Sequence, residues 1–227
     1  MIAAPRLVLH YAFMTDAAHA DAARGRLAEL CRRNGLAVPA PDARHHVVPL
    51  LGGFLRFESH AEFTTYSWDA PRGSGTLPAE TPFGEAFEPP GPLMVQARLD
   101  LVDDLRPPAE ILAGFDPGSL AASQAAGGRA LIATDFRSDG DGFTRLLIVD
   151  RGLGPQEAGP LAQRLLETET YRVLAMLGLP EAQRLQPEVR RIEEQLVADT
   201  ARFRSAGGFA SNRALLDDLT ALAADLE

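Results

Sequence analysis

Carboxylate and imidazole side chains alternate in the segment from residue 56 to residue 66. If this segment is one strand, Glu58, His60 and Glu62 point to the same side, because successive side chains of a strand face opposite sides. Glutamate and histidine are ligand types for a divalent metal ion, and the same set could assist proton transfer. Alternatively, residues 58–62 form the tight turn of a hairpin and their charged groups lie in solvent. The pattern favours the turn, with a divalent metal site at these three residues as the alternative.

A second polar group lies in the centre of a predicted helix, at Glu167, Glu169, Tyr171 and Arg172. Glu167 and Tyr171 are four residues apart, and Glu169 and Arg172 are three apart, so each pair shares a helix face. The group is either a buried polar junction between the helix and a sheet domain or the solvated face of an amphipathic helix. Because Thr170 and Tyr171 are interleaved with the charges, we expect Arg172 to be partly buried and bonded to Glu169 or to another carboxylate.

Two further patterns carry weaker signals. Asp135, Asp139 and Asp141 miss the alternating spacing of a calcium loop and are typical of a hairpin turn. The glycines of residues 152–159 follow a strand and precede a helix, but their spacing departs from that of a phosphate-binding loop. This stretch is therefore predicted to be a plain connector.

The composition of the 227-residue chain excludes several kinds of chemistry. All 22 basic residues are arginine, so no Schiff-base lysine and no phosphate-loop lysine can exist here. The formal net charge of −9 argues against general affinity for nucleic acid or for an anionic lipid surface. Cys31 is the one cysteine, which excludes an intrachain disulfide and a cysteine metal cluster, and its neighbours predict a small buried residue.

The candidate residues must be positioned by two different kinds of structure. Residues 1–155 contain strand and hairpin patterns with one early helix, which Thr15 or Asp16 begins and which ends near Arg33. Residues 156–227 are helical, with interruptions predicted at Gly178 and Pro180 and a new segment beginning near Pro187. The sequence thus predicts an α+β fold: a mainly antiparallel sheet domain over residues 1–155, followed by a helical arm over residues 156–227.

The arm carries a coiled-coil-like apolar seam. We expect its two halves to pack against each other as an antiparallel hairpin or across a dimer: Val189, Ile192, Leu196 and Phe203 against Leu215, Leu219, Leu222 and Leu226. The last helix reaches the final residue without a cap, which leads us to expect that the chain is a fragment of a longer protein.

Three separated segments together resemble a known bacterial family: residues 56–66, 134–145 and 166–180. That family is described as predicted membrane-anchored proteins and belongs to a domain-of-unknown-function class. The resemblance covers nearly the whole chain. It implies an upstream segment with a Glu-Val-His-Ala-Arg-Pro-like motif, absent here, and more helix followed by C-terminal transmembrane segments. The resemblance supplies no established activity. We expect this soluble part of the parent protein to be cytoplasmic.

The favoured hypothesis is a non-catalytic sensing or scaffolding module of a membrane-anchored bacterial protein. The alternative is a metal-dependent or small-ligand-binding enzyme that uses the face of Glu58, His60 and Glu62. No cofactor is expected, apart from the divalent metal of that alternative. The expected partner is another protein or a second copy through the helical arm. Membrane contact is expected only through segments missing from this chain, and no nucleic-acid binding is expected.

Overall fold

In a computed structural model, the described part of the protein is an α+β fold built on an eight-stranded sheet. The structure describes residues 3–73, 77, 78, 80–84, 86–154 and 156–205, with side chains through residue 201. The strands are β1 Arg6–Met14, β2 His45–Leu50, β3 Gly53–Ser59, β4 Phe63–Pro71, β5 Leu93–Val102, β6 Ala121–Ala125, β7 Ala130–Ser138 and β8 Thr144–Asp150. The helices are α1 Ala17–Arg33, α2 Pro108–Leu112 and α3 Ala158–Ser205, with a short 3-10 turn at Ala126–Gly128.

The strand order across the sheet is β2-β3-β4-β1-β5-β8-β7-β6. Every neighbouring pair is antiparallel except β5 and β8, which run parallel. The predicted α+β class with a mainly antiparallel sheet and an early helix is thus confirmed. Strand β6 was not predicted, because its sequence Ala-Ala-Ser-Gln-Ala has neither β-branched residues nor an apolar alternation.

Helix α1 covers one face of the sheet and begins and ends where its capping residues predict. The Asp16 side chain accepts a hydrogen bond from the His19 N–H at 2.9 Å, and Gly35 takes a positive φ of 64° just after Asn34 at the helix end. The apolar side of α1 buries Leu27 and Cys31 against the sheet, so the predicted burial of the lone cysteine is confirmed. The sheet residues that complete this core include Leu9, Phe57, Tyr66 and Trp68.

The first turns of α3 cover the opposite face of the sheet. Ala158, Ala162 and Leu166 recur at a spacing of four residues and are almost fully buried against strands β1, β5 and β8. Two of these three residues are alanine at the points of contact. Ala162 and Leu166 also line the cleft described below.

Helix α3 continues without a break through Pro180 and Pro187. The predicted interruption at Gly178 and Pro180, and the new segment near Pro187, are therefore wrong. A proline removes one backbone donor and costs a helix interior about 3 kcal/mol, but the turns on either side keep their own hydrogen bonds. A sufficiently long helix can therefore contain a proline without ending there.

The chain divides into two units, one ending at Val173 and the other beginning at Leu174. The predicted division into a sheet domain over residues 1–155 and a helical arm over residues 156–227 stays a prediction. In the second unit, Val189 and Leu196 of the predicted seam are about half exposed. Their predicted partners from Leu215 to Leu226 lie outside the described residues, as does the side chain of Phe203. Among the helices described, none has the length and apolar character needed to cross a membrane.

Candidate functional site

The structure separates the residues of the predicted metal set. Strand β3 ends at Ser59 and β4 begins at Phe63, so His60 and Glu62 lie in the connection of a hairpin, and the single-strand interpretation is wrong. The His60 ring stacks on Phe63 with 4.3 Å between ring centroids. Glu58 instead lies near Arg56 and His45, at 3.9 Å from a nitrogen of each. Within the part of the chain that the structure describes, no group of three His, Cys, Asp or Glu side chains could hold a metal ion.

The four residues of the predicted polar junction fall into separate environments. The Glu169 side chain is 2% exposed and receives two bonds from Arg172, from Nε at 2.7 Å and from Nη2 at 2.8 Å. These hydrogen bonds raise the pKa of Arg172, whose guanidinium also lies 4.8 Å from the centre of the Phe136 ring. Glu167 is exposed and accepts a hydrogen bond from Gln163, and Tyr171 is about half exposed.

A cleft of about 440 Å³ opens between the sheet and the first turns of α3, and sequence reasoning missed it. All of its walls belong to the first unit. Its polar lining comes from strands β1, β3 and β4 and from the start of the helix with the turn before it: His10, Arg56, Glu58, Ser67, Asp69, Gln156, Gln163 and Glu167. Two of the predicted residues, Glu58 and Glu167, thus line one cleft, although the sequence assigned them to different sites.

His10 forms part of the floor of this cleft and is 4% exposed. Its Nδ1 atom lies 2.7 Å from the Ser67 hydroxyl, and its Nε2 atom lies 2.9 Å from the Thr170 hydroxyl. The Thr170 hydroxyl in turn donates its proton to the carbonyl oxygen of Leu166 at 2.8 Å. Thr170 can therefore only accept from His10, which places the imidazole proton on Nε2. Nδ1 is then left to accept the proton of Ser67.

Burial keeps this imidazole neutral. Desolvation, with a smaller contribution from the nearby charge of His60, lowers the pKa of His10 from 6.5 to about 4. At neutral pH His10 is thus an uncharged acceptor for Ser67. Ser67 itself is only partly buried and lines the open cleft.

The strand register aligns three polar residues across the floor. Ser67 of β4 pairs with His10 of β1 on one side and with Arg56 of β3 on the other. Arg56 Nη1 donates to Gln163 Oε1 at 3.1 Å, and Gln163 Nε2 donates to Glu167 Oε1 at 2.8 Å. A chain of polar contacts therefore joins the sheet to α3 at the mouth of the cleft.

The cleft carries more acidic than basic groups. Glu58, Asp69 and Glu167 line it together with Arg56, and the Asp69 carboxylate accepts a hydrogen bond from Arg6 Nε at 2.7 Å. The one local sign of this site in the sequence was a histidine within the apolar strand pattern of residues 6–13. Its partners are 57 and 160 residues away, so only the strand register and the docked helix reveal the site.

Fold and site together define an α+β domain with a polar cleft beneath the start of its long helix. The chain belongs to the family described as "Protein of unknown function (DUF3422)", whose model matches residues 1–227. The searches of curated proteins and of solved structures found no match.

Proposed function

We propose that the sheet unit is a sensing module that binds a small polar molecule in the cleft between the sheet and α3. The observation that carries this proposal is the cleft itself. Its volume of about 440 Å³ falls within the range of small-molecule sites, and its lining combines apolar walls with a few convergent polar groups.

The contact between Arg56 and Gln163 supplies a physical basis for sensing. Arg56 belongs to the sheet and Gln163 to the first turns of α3, and one hydrogen bond joins them at the mouth of the cleft. A molecule that binds either side chain must replace or reinforce this bond. Occupancy of the cleft would then change how firmly the start of α3 is held on the sheet.

The remaining parts of the proposal rest on the sequence. We retain a protein partner or a second copy, bound through the helical arm, as the scaffolding function. The family resemblance supports a longer, membrane-anchored bacterial parent with this part on the cytoplasmic side. The alternative function is a metal-dependent or small-ligand-binding enzyme; Glu58, which lines the cleft, is the member of the predicted metal set best placed for it.

A thermal-shift screen tests the binding function. The purified chain is screened against sugars, amino acids, amines, small carboxylates and the divalent cations Mg²⁺, Mn²⁺ and Zn²⁺. We expect at least one organic class to raise the melting temperature, because a ligand that binds only the folded state stabilises it. A shift with cations alone would favour the metal-dependent alternative.

Two tryptophan variants locate the binding. Gln163→Trp places a large ring at the mouth of the cleft and should abolish the shift. Arg164→Trp, at the exposed residue that follows on the same helix, should preserve it. If no compound class shifts the melting temperature, or if both variants respond as the unmodified protein does, the cleft does not bind the ligand and the proposal fails.

A further inference from the structure

The hydrogen bond between Ser67 and His10 gives the cleft a chemical capacity beyond binding. We propose that Ser67 is a nucleophile, with His10 as its general base, and that it reacts with the carbonyl carbon of a small ester or thioester bound in the cleft. This inference rests on the proposed function in one respect only, which is that the molecule must enter the same cleft.

The direction of the hydrogen bonds is the first argument. Because the Thr170 hydroxyl donates to the Leu166 carbonyl, the His10 proton resides on Nε2 and the lone pair of Nδ1 faces Ser67 at 2.7 Å. A serine that donates to a neutral imidazole nitrogen is the arrangement from which nucleophilic attack can start. The opposite tautomer would direct two oxygen lone pairs at each other between Thr170 and Leu166.

Access is the second argument. His10 and Ser67 both line the cleft, but His10 is almost completely buried, whereas Ser67 is partly exposed. The base is therefore shielded from water while the hydroxyl can meet a ligand. If this hydrogen bond served only to satisfy the buried histidine, its serine partner would not need to be accessible from the cleft.

The reaction balances with the groups present. Ser67 Oγ forms a bond to the carbonyl carbon, and its proton passes to His10 Nδ1. As the carbon–oxygen or carbon–sulfur bond to the leaving group breaks, Nδ1 returns that proton to the departing alkoxide or thiolate. Water then attacks the acyl carbon and gives its proton to Nδ1. The bond between that carbon and Ser67 Oγ breaks, the carboxylic acid leaves, and Oγ takes the proton back from Nδ1.

Arg56 is placed to stabilise the negative charge that develops on the carbonyl oxygen. It is the cross-strand neighbour of Ser67 on the side opposite His10, and Gln163 holds its guanidinium at 3.1 Å. Thr170 is a positioning residue, since it acts on the reaction only through the tautomer of His10. The group at Nε2 is a hydroxyl instead of a carboxylate, so the imidazolium formed during attack gains little stabilisation. We therefore expect slow chemistry.

Labelling with a fluorophosphonate probe at neutral pH tests the inference. Attack by Ser67 on phosphorus displaces fluoride and leaves an adduct that peptide mass spectrometry can locate. We expect the adduct on Ser67, its loss in Ser67→Ala, and unchanged labelling in Ser123→Ala, which alters an exposed serine of β6. His10→Asn keeps an acceptor at the position of Nδ1 but supplies no base, and it should slow labelling about 100-fold or more.

The Thr170 substitutions separate positioning from folding. Thr170→Val should slow labelling about fivefold, and Thr170→Ser, which restores the hydroxyl, should recover the rate. Melting temperatures of all variants establish that each one is folded. If Ser67 is unlabelled, or if folded His10→Asn labels as fast as the unmodified protein, the inference is overturned. Reversible binding without labelling would leave the sensing function intact, and labelling without reversible binding would support the nucleophile alone.

Discussion

The buried imidazole of His10 ties the stability of the domain to pH. Its pKa is about 4 in the folded protein against 6.5 for an exposed histidine, so the unfolded chain binds this proton more readily. The stabilisation is complete above pH 6.5 and is lost as the pH falls toward 4. Lowering the pKa of His10 from 6.5 to about 4, at about 1.4 kcal/mol for each pH unit, corresponds to about 3–4 kcal/mol of stability.

Urea unfolding at pH values from 7 down to 4 measures this contribution. We expect the unmodified protein to lose more stability over that range than His10→Asn, which has no titrating group at the position. His45→Asn, which makes the same substitution at an exposed histidine of β2, serves as the control. Arg56, Glu58 and Asp69 line the same cleft and are present in all three proteins, so they do not affect the comparison. Equal slopes with and without His10 would contradict the prediction.

At the level of single elements, Glu169 and Arg172 form an ion pair within α3, and Arg172 also lies over the ring of Phe136 in β7. Glu169 is 2% exposed, whereas the Arg172 side chain keeps about a third of its exposure. Arg172→Ala would leave a buried carboxylate without these two bonds, at a cost of about 1–3 kcal/mol, and toward the lower end because Arg172 is partly solvated. The double variant with Glu169→Ala should lose less than the sum of the single losses.

The same helix offers a matched control. Glu181 and Arg184 have the same spacing and form a similar pair, but both side chains are at least 60% exposed. We expect Glu181→Ala and Arg184→Ala to leave the urea midpoint unchanged within error. If the Glu169 and Arg172 losses are equally small and simply add, the junction is a solvated helix face.

Some of the helices and strands could be predicted from the sequence, and others could not. Helix α1 could be predicted to within a residue, because its signals are local: Asp16 caps the start and Gly35 follows the end. Strand β6 could not be predicted from its sequence, because a run of alanine, serine and glutamine forms a strand only when β7 supplies its hydrogen bonds. The continuation of α3 through Pro180 could not be predicted. Proline raises the free energy of forming the helix locally, but it does not determine where the helix ends.

Most residues of the cleft could not be predicted either, because they are far apart in the sequence. Glu58 and Glu167 were selected for their charge, and both do line the cleft. His10, Ser67 and Thr170 were not selected, because each is unremarkable in its own segment. Their chemistry arises only from the register of β1 on β4 and from the docking of α3, which a single sequence does not display.

For the molecule as a whole, charge predicts the absence of nucleic-acid binding. The chain has 31 acidic residues against 22 arginines, and phosphate contacts require basic groups in excess. We expect no retardation of duplex or single-stranded DNA in a gel-shift assay at physiological salt. Binding that persists at that salt concentration would show that charge alone is a poor guide for this fold.

The long separation along the chain between the residues of the cleft has a consequence for folding cooperativity. Hairpins such as β3–β4 and β7–β8 close over short stretches of chain, but His10 meets Thr170 only after 160 residues have come together. Contacts of such high sequence separation form late and slow the folding of a domain. The cleft therefore does not exist in any partly folded species that lacks the docked start of α3. A molecule that occupies it would report on completed folding, and it would protect the backbone amides of distant strands from hydrogen exchange together.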